Sequence, residues 1–247
     1  PANLRHVPQP PICRRIAGQI CYSRRMLNPM PKTFVYDPPT DPWLTILHAD
    51  DDIVVLDKPS GLLTVPGKDA RLADSLETRV QARWPTSKVV HRLDKDTSGI
   101  LLMALNKKAR GWFGSQSEHR QTTKSYVARV FGQMETESGE VDQPLATDWE
   151  NKPRQRIDHE RGRPSRTTWQ VLAREADATR VRLVPHTGRT HQLRVHMMSL
   201  GHPILGDEFY ATGAALAAAD RLQLHAEELG FTPPDGTPMR FASPAPF

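Results

Sequence analysis

Nine consecutive residues, His91 to Gly99, carry a histidine, an arginine, a lysine, two aspartates, a threonine and a serine. The short apolar pair Val89-Val90 precedes them and the run Ile100–Leu105 follows, so they read as a polar turn between a strand and a buried strand. A turn of that kind rarely needs so many functional groups. It projects a carboxylate, Asp94, and a guanidinium, Arg92, from a rigid edge. An ionised carboxylate needs no separate base to act as a nucleophile, unlike a serine hydroxyl. A neighbouring guanidinium keeps such a carboxylate charged and oriented. Arg92, two residues before Asp94, is the nearest such group in the sequence. Taken alone, Asp94 reads as a turn cap or ion-pair partner, and Tyr126, in Lys124-Ser125-Tyr126, as a packed strand aromatic.

The flanking elements are those of a mixed fold. Trp43–Leu47 and Ile53–Leu56 bracket the turn-like Ala49–Asp52 as a hairpin, which Lys58-Pro59-Ser60-Gly61 ends. Asp74-x-x-Glu77 is a capping box for a helix whose apolar positions Leu72, Leu76, Val80 and Trp84 run to Pro85. Ser125–Phe131, Thr168–Ala173 and Arg180–Val184 read as strands, and Thr190–Leu200 as a helix capped by Gly201. Strand pairs with separate helices argue α+β rather than alternating α/β.

The 247 residues are 38% hydrophobic and 25% charged, enough for one substantial core or two modest ones. No apolar run approaches the roughly 18 residues of a membrane span, and no secretory segment is visible, so a cytoplasmic monomer is expected. Residues 1–40 hold eight prolines, six basic groups and one acid. They read as an extended or disordered basic arm that carries the whole formal net charge of +5, with a single catalytic domain over 41–247. Global charge therefore says nothing of the body, and a local cluster must carry any phosphate contact. Lys152, Arg154, Arg156, Arg161, Arg163 and Arg166 form one, in a proline- and glycine-marked loop or edge hairpin.

Walker A, Gly-x-Gly-x-x-Gly and Gly-x-Ser-x-Gly signatures are absent, which points to a redox-neutral reaction with no bound cofactor. His191 and His196 are five apart, about 140° of helical rotation, so they diverge. No metal is expected, and hydrogen bonding is the better reading of the four histidines between 186 and 202.

His91-Arg92-Leu93-Asp94 followed by Thr97-Ser98-Gly99 resembles the catalytic motif of the RluA family of pseudouridine synthases. Thr187-Gly188-Arg189-Thr190-His191-Gln192-Leu193-Arg194, Lys58–Leu62, Gly201–Asp207 and Leu222–Ala226 resemble further motifs of that family, in order. The likeness spans Pro42 to Phe247. It implies the pseudouridine synthase fold: a mixed, largely antiparallel sheet with a central cleft and flanking helices. It implies Asp94 as the catalytic residue, Arg194 as its partner with Arg189 as a helper, and Tyr126 as a base-stacking or proton-moving phenol. Arg92 would fill the stack vacated by a flipped uridine. Arg189, His91, Lys58, Lys152, Arg154 and Arg156 are the expected RNA contacts. Asp148-Trp149-x-Asn151-x-Pro153 points to the members that act on a 23S rRNA loop and the tRNA anticodon stem-loop, without an S4 domain. The alternatives are a non-catalytic RNA-binding or ribosome-assembly protein and a histidine-based metal hydrolase.

Every motif lies beyond residue 41, so deleting residues 1–29 is expected to leave melting temperature and turnover intact at moderate salt. Any contribution of the arm to RNA affinity should fade steeply as salt rises, because it acts through counterion release. Inactivity at every salt concentration would place the arm within the folded body.

Overall fold

The computed structural model describes residues 35–118, 122–233 and 235–247. The proposed arm, apart from its last residues, lies outside them. Among the described residues, twelve strands and four α-helices follow in chain order. The first group is β1 (Thr45–Ala49), β2 (Ile53–Lys58), α1 (Leu76–Gln81), β3 (Lys88–Val89), β4 (Ser98–Ala104) and α2 (Lys107–Glu118). The middle strands are β5 (Thr123–Phe131), β6 (Ser138–Asp142), β7 (Leu145–Thr147), β8 (Gln155–Ile157), β9 (Arg166–Arg174) and β10 (Ala178–Pro185). Then come α3 (Gln192–Ser199), α4 (Gly213–Ala217), β11 (Leu224–Phe231) and β12 (Met239–Ala242).

Ten strands make one sheet. Its path is β1-β2-β4-β11-β5-β10-β9-β6, with β12 on β11 and β3 on β4, while β7 and β8 form a separate hairpin. All pairings are antiparallel but one: β4 runs parallel to β11 through His225 with Ser98 and Ala226 with Gly99. This short seam joins a half built from residues 45–104 to a half built from later chain. Gly99 makes the close approach possible. Its φ is +111°, and a Cβ there would lie 2.3 Å from the Ala226 carbonyl oxygen. Side chains brace the same seam. Ser98 Oγ lies 2.9 Å from His225 Nδ1, and Arg221 also donates to that hydroxyl.

Apolar packing follows the two halves. Leu56, Leu62, Leu76, Val80, Leu101 and Met103 fill the core between the first half and α1. Val130, Val181, Leu183, Leu193 and Met197 fill the core between the second half and α3. Tyr126 packs against both clusters and so sits at their junction. On the opposite face, Ala109 and Phe113 of α2 cover Ile53, Val55, Ile100 and Leu102.

The α+β reading, the 45–56 hairpin, the strands at 125, 168 and 180, and the α3 helix ended by Gly201 at φ +88° are all present. The α1 cap differs from expectation. Ser75 is the N-cap: its Oγ accepts from Thr78 N, and the Thr78 hydroxyl oxygen accepts from Ser75 N. Asp74 instead grips the buried Arg79 guanidinium through two bonds of 2.8 and 2.7 Å. α1 stops at Gln81, and Leu72 falls in a preceding 3₁₀ turn. The segment just before residue 41, counted with the arm, docks on the body. The Tyr36 hydroxyl donates to the Asp74 carbonyl and accepts from Leu63 N.

Gly99→Ala is expected to cost about 3 kcal/mol or more in urea denaturation, through backbone strain plus the clash with Ala226. Wild-type stability in this variant would mean that the β4–β11 seam is not close-packed.

Candidate active site

The Asp94 turn is clamped from beneath by the segment leaving β2. Leu93 is buried, and its carbonyl and N–H both meet the Thr64 hydroxyl, at 2.7 and 3.2 Å. The Lys95 carbonyl accepts from Lys58 Nζ at 2.8 Å and from Gly61 N at 3.0 Å. Ser60 Oγ donates to the Asp96 carbonyl at 2.8 Å. Asp94 lies between these fixed neighbours, with its side chain 27% exposed.

Lys58 was expected to contact RNA. It is instead fully buried, and its ammonium donates to the carbonyls of Pro59, Leu62 and Lys95. Burial pushes its pKa down to about 7, while Asp96 and Asp94 pull the other way. Three acceptors around three protons favour the ammonium form. His91, also expected at the RNA, turns into the sheet. Because β3 is only two residues long, the Leu102 N–H extends beyond it, and His91 Nε2 accepts that proton at 3.2 Å. Burial, with Lys124 nearby, keeps His91 neutral.

Opposite Asp94 stands Arg194 of α3, 3% exposed. Its Nη1 reaches Asp94 Oδ2 at 3.3 Å. Its stronger bonds go elsewhere: Nε and Nη2 donate to the two oxygens of Asp207 at 2.8 and 2.7 Å. Asp207 is wholly buried, and its Oδ1 also accepts the N–H groups of Phe209 and Tyr210 at 2.9 and 3.1 Å. Burial works against the Arg194 charge, but Asp207 and Asp94 outweigh it and raise its pKa. The rings of Phe209 and Tyr210 flank the guanidinium carbon at 5.0 and 5.2 Å.

Tyr126 completes the group from β5. Burial, then the Asp94 charge, pushes its phenol pKa up, so the hydroxyl stays protonated at neutral pH. A cavity of about 590 Å³ opens beside Arg194, bordered by Ser60, Asp96, Glu208 and Arg221. Thus Asp94, Tyr126 and Arg194, more than thirty residues apart in sequence, converge.

The rim is more mixed. Arg92 is exposed beside Asp94. Arg189 was expected to help orient Asp94; its Nε donates instead to the Pro164 carbonyl at 3.2 Å. The basic cluster spans the β7–β8 hairpin and the loop beyond it. Lys152 is exposed and stacks 3.7 Å over the ring of Trp149, itself 73% exposed, and Arg156 is exposed beside Asp158. Arg154 departs from expectation, being 3% exposed, because the turn at Trp149–Asn151 folds it back against the body. The histidines at 186, 196 and 202 are each hydrogen-bonded within the fold. Asp207 is a functional residue that the sequence does not single out. Its only mark in the sequence is an acid directly after Gly206, which enters a turn at φ +68°.

A sequence profile of the RNA pseudouridylate synthase family matches residues 52–199. The chain is 52% identical over 204 residues to the dual-specificity RNA pseudouridine synthase RluA of Vibrio vulnificus, covering 81% of this chain and 82% of that protein. It is 51% identical over 214 residues to the Escherichia coli K12 protein of the same name, covering 86% and 98%. Human RNA Pseudouridylate Synthase Domain Containing 1 superposes with a TM-score of 0.70 at 30% identity, over 83% of this chain and 84% of that one. The profile takes in the Asp94 turn, Tyr126 and Arg194, and the identity extends over four-fifths of the sequence: the chain belongs to the RNA pseudouridylate synthase family.

Proposed function

We propose that this protein isomerises uridine to pseudouridine in structured RNA, with a 23S rRNA loop and the tRNA anticodon stem-loop as substrates. The observation that carries the reading is the Asp94 carboxylate, 27% exposed and held by a guanidinium whose own charge is fixed by buried Asp207. Relatives sharing half their residues with the chain are named dual-specificity RNA pseudouridine synthases, which supports both substrate classes. A purely RNA-binding protein would have no use for a partly exposed carboxylate held in this way.

The net chemistry breaks the bond from ribose C1′ to N1 and forms one from C1′ to C5. N1 gains a proton and C5 loses one. A stacked uridine must first leave its stack, at a cost of a few kcal/mol that is lowest in a loop. Arg92, exposed at the rim, is placed to occupy the gap. Asp94 then acts on the ribose, either as nucleophile at C1′ or as base toward a ribose proton. Both routes need an oriented carboxylate, and the bond from Arg194 Nη1 holds Asp94 in place. Tyr126 offers its ring to the base. As a protonated phenol it accepts the C5 proton only while releasing its own, so it works as a relay. Lys152, Arg156 and the Trp149 face extend the contact surface for phosphates and an unpaired base.

Incubation with an anticodon stem-loop RNA, with pseudouridine read by mass spectrometry after carbodiimide labelling, tests the reaction. Asp94→Asn should bind RNA and form no product; activity within about tenfold of wild type would remove Asp94 from its role. Tyr126→Phe should keep RNA affinity and lose about 100-fold in turnover, the usual scale for a proton-transfer group. Full activity there would leave the ring alone as the working part.

Asp207→Asn should lower activity and cost about 3–5 kcal/mol of stability, because it leaves Arg194 buried with one strong partner removed. Thermal and urea unfolding measure this. A neutral result would mean that Asp94 alone suffices to hold Arg194.

A further inference from the structure

His191 immediately precedes α3, and its ring faces the same carboxylate oxygen as Arg194. Its Nε2 lies 3.9 Å from Asp94 Oδ2, while Arg194 Nη1 lies 3.3 Å from that atom. The ring is held from behind. His191 Nδ1 is 2.7 Å from the Tyr210 hydroxyl, which also accepts the Gln155 N–H at 2.8 Å. Phe209 stacks on the imidazole with centroids 5.5 Å apart, and Tyr210 meets it edge-on.

Backbone geometry serves the placement. His191 has φ +54°, the only non-glycine residue with positive φ among the described residues. Such a conformation is uncommon outside glycine, and histidine is among the residues that adopt it more readily. His191 takes it directly before α3, with Nε2 on the Asp94 side.

Two independent arguments fix the imidazole tautomer. The Tyr210 oxygen already accepts from Gln155, in a buried setting where its own proton needs an acceptor, and Nδ1 is the ring atom within reach. Nδ1 therefore accepts, and the proton of a neutral ring sits on Nε2. The opposite tautomer would point the Nε2 lone pair at the Asp94 carboxylate, a repulsive contact. Burial pushes the His191 pKa down to about 4, against the pull of Asp94, so the ring is neutral at physiological pH.

We propose that His191, locked as the Nε2–H tautomer by Tyr210, is a positioning residue that donates to Asp94 Oδ2 and thereby selects Oδ1 as the oxygen presented to the ribose. Two donors on one oxygen draw charge to it and stop the carboxylate from rotating, leaving the other oxygen for chemistry. A separation of 3.9 Å is long for a hydrogen bond, and donors of this kind commonly close on their acceptor once substrate excludes water. Gln155 begins β8, so the basic hairpin is tied to His191 by two bonds, Gln155 N–H to the Tyr210 hydroxyl and that hydroxyl to His191 Nδ1.

Nitrogen-15 spectra of the full-length protein's imidazoles at neutral pH test the tautomer, with the His191 signals assigned by their loss in His191→Asn. Asparagine tolerates positive φ, so that variant keeps the turn. The expected spectrum is a neutral ring protonated at Nε2 in wild type, changing to a mixture of tautomers in Tyr210→Phe. In the stem-loop assay His191→Asn should lower kcat by about 100-fold, the scale expected when a reacting group is misplaced by about 1 Å, with KM nearly unchanged. A wild-type ring protonated at Nδ1, or a kcat for His191→Asn within about threefold of wild type, would overturn the proposal. The kinetic arm rests on the proposed reaction, and the two fail separately. Wild-type protein that makes no pseudouridine removes the reaction, while the spectrum still decides the tautomer.

Discussion

A buried ion pair organises this molecule: Arg194 and Asp207, joined by two parallel bonds. Neither charge could be tolerated alone at such burial, and removing one partner of a pair like this costs several kcal/mol. The pair does more than satisfy itself. Asp207 collects the N–H groups of Phe209 and Tyr210 on one oxygen, which fixes the turn carrying both aromatic rings. Those rings flank Arg194 and hold His191. Arg194 spends its two best donors on Asp207 and retains Nη1 for Asp94. A guanidinium fixed at one edge is a stationary charge at the other, which is the electrostatic preorganisation that a reacting carboxylate requires.

The Asp94 turn is made stationary by different means. Its backbone carbonyls, not its side chains, are gripped by Lys58, Ser60, Gly61 and Thr64. A lysine ammonium among three carbonyls is a compact knot that needs no carboxylate, so Asp94 is not drawn into neutralising it. Asp94 is left to pair with Arg194, and Asp96 pairs with Lys95 at 3.1 Å. Side-chain chemistry and backbone support are thereby separated within a few residues of one another.

How far the sequence revealed this depends on the kind of signal. Asp94, Tyr126 and Arg194 were legible because motif residues announce themselves by type, and the structure brings them together. Strands with alternating or continuous apolar residues, such as β4 and β10, were legible by periodicity. α2 was not: in Lys107–Glu118 its buried face rests largely on Ala109 and Phe113, and two glycines interrupt the pattern. The fates of Lys58, His91 and Arg154 were hidden because a cation in a motif looks the same whether it meets a phosphate or a backbone carbonyl. Only tertiary burial separates the two. Asp207 and His191 were hidden for a related reason, since their partners lie in other segments: Tyr210 and Gln155 for His191, and the distant turn for Asp94.

The parallel seam between β4 and β11 carries a consequence for the life of the chain on the ribosome. Residues 45–104 form their own pairings early and locally, yet β4 meets its neighbour only when residues near 225 arrive, more than 120 positions later. Contacts of such long sequence separation form slowly, after local structure is in place. Asp94 lies on the early side of the seam, whereas Tyr126, Arg194 and Asp207 lie on the late side. A chain that ends before residue 194 therefore carries the carboxylate without its guanidinium, and the seam closes only when the last long strand inserts.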